Sequence, residues 1–168
     1  MSPLAIDAFF ASHRLIGMSL NQTKPTKFTI AVVLINPENS SEILAVKRPA
    51  DDDSLPNVWG LPAVIVKEGE LPEDAVKRLG FEKLATEIEP MSYVGIKRAE
   101  RDTHELILMD IQAKLKGKQP SVKDGITTGT KYVDQRWTRD YSIFTEAANN
   151  GSLCSRILLE SKGLTWGE

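Results

Sequence analysis

Residues 28–35, Phe-Thr-Ile-Ala-Val-Val-Leu-Ile, are the stretch that most restricts how this chain can fold. The run is uncharged and rich in β-branched side chains, so it reads as a strand buried by a larger assembly. A second run at residues 43–48, Ile-Leu-Ala-Val-Lys-Arg, answers it across the turn-forming cluster of residues 36–41, Asn-Pro-Glu-Asn-Ser-Ser. The two therefore form an antiparallel hairpin. A polar loop with Asp51, Asp52 and Asp53 follows, then Trp59-Gly60-Leu61-Pro62 and a short apolar run at 63–66.

After Glu68-Gly69-Glu70, Pro72 sits in a first-turn position, with Glu73 and Asp74 favourable to the helix dipole. Ala75, Val76, Leu79 and Leu84 then extend a helix over about residues 72–86, and Pro90 closes the region. Residues 91–96 and 105–115 read as two more strands around a charged turn at 97–103, and 132–137 as a last strand. Asp140 can cap a helix ending before Gly151, and Ser152 another ending before Gly163. At the other end, Leu4, Ala8, Ala11 and Leu15 recur at helical spacing, and a polar break over 21–25 separates them from the body. Residues 1–26 are thus an N-terminal helical extension, and residues 27–168 one domain with a C-terminal helix pair. Strands and helices in this order define an α+β fold rather than alternating βαβ units.

A chain of 168 residues with 41% hydrophobic and 26% charged residues is long enough to bury a sizeable core. Its 21 basic and 23 acidic residues nearly cancel, which argues against a nucleic-acid or anionic-membrane partner. Cys154 is the single cysteine, so an intrachain disulfide and a multi-cysteine zinc site are both excluded. No apolar run approaches the length of a membrane span. The N-terminus lacks the basic start of a signal peptide, and the expected location is cytoplasmic.

Chemistry enters with Arg48-Pro49, with residues 55–62 (Leu-Pro-Asn-Val-Trp-Gly-Leu-Pro), and with Glu70, Arg78 and Glu82. These resemble the Nudix family, whose signature is a glycine, five residues, a glutamate, seven residues, then Arg-Glu-apolar-any-Glu-Glu-any-Gly. Glu70 matches the first glutamate, Arg78 the arginine and Glu82 the first of the paired glutamates. The resemblance covers about two-thirds of the chain. It implies a sandwich of helices about a mixed sheet, with the signature helix packed against the sheet. It further implies metal-assisted cleavage of a diphosphate linkage in a nucleoside diphosphate derivative, through Mg2+ or Mn2+, and makes a homodimer reasonable.

The departures from the signature are as telling. Val64 stands at its first glycine, Leu79 at the glutamate after the arginine, Gly80 at the apolar position, Lys83 at the second paired glutamate and Ala85 at the last glycine. Positions 79, 82, 83 and 86 share one helix face, which here reads Leu79, Glu82, Lys83 and Thr86. Three carboxylates have become one carboxylate and one ammonium, and a hard cation would be held weakly there.

On this resemblance Glu82 and Glu70 are the candidate metal ligands, and Arg78 orients them from an i, i+4 ladder that includes Asp74. Arg48 and Lys83 are candidate phosphate contacts, and Trp59 a stacking surface for a base. Asp51, Asp52 and Asp53 read first as a solvated loop, His104 and His13 as a loop and a helix residue, and Tyr132 and Trp137 as packing aromatics. Two functions stay open: a Nudix-like hydrolase, with activity weakened or lost, and a catalytically inactive nucleotide-binding or protein-interaction module.

Overall fold

The computed structural model describes residues 24–127 and 129–167. The helix expected over residues 4–16 lies outside the described residues. The hairpin is present as β1 (Thr26–Asn36) and β2 (Asn39–Lys47). Its loop is only Pro37–Glu38, shorter than the six-residue cluster suggested. The Asn36 side chain closes it, accepting from the Glu38 amide at 3.0 Å and donating to Glu42 at 2.9 Å.

Five further strands complete one mixed sheet: β3 (Trp59–Gly60), β4 (Ala63–Ile65), β5 (Ile88–Glu100), β6 (Glu105–Leu115) and β7 (Asp134–Thr138). The path is β3-β2-β1-β6-β5, with β4 also pairing β1 and β7 pairing β2. Its backbone is the parallel ladder of β1 and β6, which runs from Thr26 opposite Glu105 to Ile35 opposite Lys114. β5 is longer than the predicted 91–96, and Pro90 lies within it rather than ending the region. Proline is tolerated because β5 is an edge strand and the register shifts beside it, between Pro90 and Ser92.

Helices cover both faces. Ile30, Val32 and Leu34 of β1 pack with Ala75, Val76 and Leu79 of α1 (Pro72–Leu84). The alternate residues Ala31 and Val33 pack with Phe144, Leu153, Ile157 and Leu158. These belong to a 3-10 turn (Tyr141–Phe144), α2 (Thr145–Asn149) and α3 (Leu153–Ser161). The alternation of β1 side chains across the pleat thus builds two cores and a three-layer sandwich. Both predicted caps are formed: Asp140 accepts from the Ser142 amide and Ser152 from that of Ser155. No helix among the described residues is long and apolar enough to cross a membrane.

α1 ends at Leu84, two residues before the predicted Thr86, because Ala85 turns left-handed at φ +52°. Gly80 lets the chain fold back closely there: a Cβ would meet Ile88 Cγ1 at 2.6 Å and the Thr86 carbonyl at 2.9 Å. Steric crowding, rather than loose sequence drift, accounts for glycine at this helix position.

Candidate functional site

Arg78 is the centre of the site. Its Nε and Nη2 grip both oxygens of Glu70 at 2.8 and 2.9 Å, Nη1 donates to Glu82 at 3.0 Å, and Nη2 also donates to the Ile65 carbonyl at 2.7 Å. The predicted ladder is corrected in one respect. Glu70 precedes α1 and reaches Arg78 from the loop, while Asp74 is exposed and takes no part in these bonds. The hydrogen bonds from Arg78 hold the Glu70 carboxyl below its ordinary pKa, and those carboxylates raise that of Arg78.

The helix face expected to present 79, 82, 83 and 86 is not a solvent-facing metal platform. Leu79 is fully buried in the first core, and Thr86, beyond the helix end, donates its hydroxyl to the Lys118 carbonyl. Only Glu82 and Lys83 of this set reach the cavity described below. Lys83 is not a solvent-facing lysine either, being 6% exposed. Its ammonium donates to the Thr130 carbonyl at 2.7 Å and lies 5.3 Å from the centre of the Tyr132 ring. Burial lowers its pKa to about 8, with nearby Arg48 pushing the same way. The phenol of Tyr132 accepts from the Ala63 amide at 2.9 Å, and burial raises it to about 12.

These groups line a cavity of about 850 Å³ over the first half of β1. Its floor is Lys27 and Thr29 of β1 with Leu106 and Leu108 of β6, which stand side by side in the parallel register. Arg48, Lys83 and Tyr132 line one part of it, and residues 150–154 at the start of α3 another. Six cationic side chains line the cavity and Glu82 is the one carboxylate among the lining residues described.

The remaining candidates divide. Arg48 lines the cavity, paired at 3.2 Å with Asp52. Asp52 is not the solvated loop residue its neighbours suggested: its side chain is nearly buried and accepts from the Ser54 and Leu55 amides, which together with Arg48 lowers its pKa against the effect of burial. His104 lines the cavity mouth. Trp59 does not line the cavity; it packs on the second core with the Arg136 guanidinium 4.7 Å from its ring centre. Sequence reasoning missed Tyr132 and Arg101 as cavity residues.

Away from the cavity it also missed Asp110, which is fully buried and has neither carboxyl oxygen hydrogen-bonded among the described residues. Burial raises its pKa well above the ordinary value, and its proximity, added to burial, raises that of the Cys154 thiol. The signal was present, since alternation along β6 puts Asp110 on the face of Leu106 and Leu108.

The donor set does not fit a divalent cation. Glu70 and Glu82 are already neutralised by Arg78, Leu79 is in the core, and Lys83 brings a further positive charge that opposes a cation. Among the described residues no group of three or more His, Cys, Asp or Glu side chains is placed to hold a metal. What the arrangement can do is attract and hold anionic oxygen.

A mixed sheet between helices, with an arginine–carboxylate cluster along one of them, defines the class. The NUDIX domain model matches residues 25–137, and the chain belongs to the Nudix family. Similar solved structures include the MutT protein from Methanosarcina mazei Go1, 14% identical, covering 85% of this chain and 97% of that one with a TM-score of 0.61. A NUDIX hydrolase from Nitrosomonas europaea is 17% identical, covers 85% and 93%, and gives 0.62. The E. coli ORF135 protein is 16% identical, covers 72% and 79%, and gives 0.55. No curated protein matches the chain. Likeness at these identities speaks for the fold; the chemistry has to come from the residues.

Proposed function

We propose that this protein binds the diphosphate of a nucleoside diphosphate derivative in the 850 Å³ cavity, and that the metal-assisted hydrolysis typical of its family is weakened or lost. The observation that carries this reading is the inverted charge of the cavity: six cations line it, and its one described carboxylate is tied to Arg78. A phosphate meeting the usual carboxylate-rich helix needs a cation between them. Here the ammonium of Lys83 stands where the signature has a glutamate, so phosphate oxygens can meet the protein directly. At neutral pH a lysine with a pKa of about 8 is mostly protonated and serves as that charge. Arg48, its geometry fixed by Asp52, supplies the second contact. The cluster of Arg78, Glu70 and Glu82 acts as a brace that holds the middle of α1 against β4 through the Ile65 carbonyl.

Titration calorimetry tests this. Inorganic pyrophosphate and ADP should bind without added metal, Lys83→Met should weaken both by about tenfold or more, and Mg2+ or Mn2+ alone should give no saturable heat in the millimolar range. Saturable metal binding accompanied by phosphate release from a nucleoside diphosphate derivative would overturn the reading in favour of an active hydrolase.

A further inference from the structure

We infer that the ligand of this cavity carries a second anionic group, remote from its diphosphate, seated by Arg101, Lys27 and His104 at the cavity mouth. The inference rests on the diphosphate reading above and names the class of molecule that reading leaves open.

Of the six cationic side chains, Arg78 is held by Glu70 and Glu82 and Lys67 follows β4. Arg48 and Lys83 lie near each other. Arg101 and His104 belong to the β5–β6 turn, closed by the Arg101 amide donating to the His104 carbonyl at 2.8 Å. Lys27 stands beside Leu106 at the start of β1. β6, β1 and β4 are consecutive in the sheet, so the turn that carries Arg101 and His104 leaves a strand about 10 Å from β4, with Lys27 on β1 between them. Leu106, Leu108 and Leu153 supply apolar lining.

The mouth cations are not spent on ion pairs. Among the described residues neither Arg101 nor Lys27 pairs with a carboxylate. Glu100, the acid next to Arg101, is taken by Lys24 at 3.1 Å. The Arg101 head is nonetheless positioned, because Nη2 donates to the Gly151 carbonyl at 2.8 Å. A guanidinium has five N–H donors, and the others are left for an incoming oxyanion. His104 uses Nδ1 toward Thr103 at 3.0 Å, which leaves Nε2. A ligand with a neutral distal end would leave these groups unmatched. A nucleoside diphosphate bearing a phosphate monoester on its ribose, or a carboxylate at similar reach, matches both ends and lays its uncharged middle on the leucines.

Calorimetry with three probes separates this inference from the reading beneath it: inorganic pyrophosphate, ADP, and adenosine 3′-phosphate 5′-diphosphate, with ADP plus free phosphate and ADP plus acetate as arms that test the monoanion alone. The 3′-phosphate should tighten binding over ADP by about tenfold. Lys27→Ala and Arg101→Ala should each remove most of that gain, weakening the 3′-phosphate compound markedly more than pyrophosphate. Arg101→Lys should restore part of it, and Lys118→Ala, away from the cavity, should change nothing. If pyrophosphate and ADP bind but the extra phosphate adds no affinity, or if its gain survives in the Lys27→Ala Arg101→Ala double variant, the inference falls and the diphosphate reading stands. If none of the three probes binds, both fall.

Discussion

Lys83 and Asp110 are opposite cases of one problem, an ionisable side chain kept from water. The ammonium of Lys83 keeps a carbonyl and an aromatic face as partners, and its pKa falls to about 8 from the ordinary 10.5. The folded state therefore binds fewer protons than the unfolded state between those values, so stability rises as pH climbs from about 8 toward 10.5. Urea unfolding at pH values across that window should show the rise in the parent and not in Lys83→Met.

Asp110 has no partner, and burial raises its pKa above 3.8. Its stability contribution is complete below 3.8 and is lost as pH rises toward the elevated folded value. Asp110→Asn, neutral at every pH, should match the parent in acid and exceed it in stability at neutral pH. Equal pH profiles for the two proteins would count against a buried, neutral Asp110.

At the scale of elements, the stop of α1 carries two departures from the family signature with opposite energetic signs. Ala85 holds a left-handed conformation that favours glycine, so Ala85→Gly should stabilise the protein by about 0.5–1 kcal/mol. Gly80 has no room for a methyl group against Ile88 and the Thr86 carbonyl, so Gly80→Ala should cost about 1–3 kcal/mol. Thermal unfolding of both variants reads the signs directly. The same helix shows why a simple restoration of the signature is not open: a glutamate at position 79 would put a carboxylate into the first core.

Much of this layer was legible in the sequence. The β1–β2 hairpin followed from side-chain type, α1 from its proline and acidic start, and the C-terminal helices from Asp140 and Ser152. What local pattern could not supply was the parallel ladder of β1 with β6, because those strands are far apart in the chain and neither names its partner. The site was half visible for a related reason. The spacing of Glu70, Arg78 and Glu82 identified the brace, but a lysine reads as solvent-facing until tertiary packing buries it. Tyr132 became a site feature only when tertiary packing brought it to the cavity.

For the whole molecule, a near-neutral chain conceals a strongly biased interior surface. Acidic residues balance the basic ones overall, yet among the described residues the cavity is lined by six cations and one carboxylate. A multivalent anion should therefore act as a stabiliser of the native state. At a hundredfold excess over its dissociation constant, pyrophosphate should add about 2.7 kcal/mol and raise the melting temperature by about 5–10 °C for a domain of this size. Raising the salt from 0.1 to 1 M shortens the screening length from about 10 to 3 Å and should shrink the shift markedly. A melting temperature indifferent to pyrophosphate at low salt would contradict the charge reading.

The Arg78 brace also bears on the order in which the chain folds. Its contacts span 4, 8 and 13 positions along the chain, to Glu82, Glu70 and the Ile65 carbonyl. The first pair of the β1–β6 ladder, Thr26 with Glu105, closes a loop of 79 residues (105 − 26). Loop-closure entropy favours the shorter connections, so β4, the loop after it and α1 can knit together as a local unit before the sheet has its centre. The brace thus gives an early foothold for the search that brings two distant strands into register.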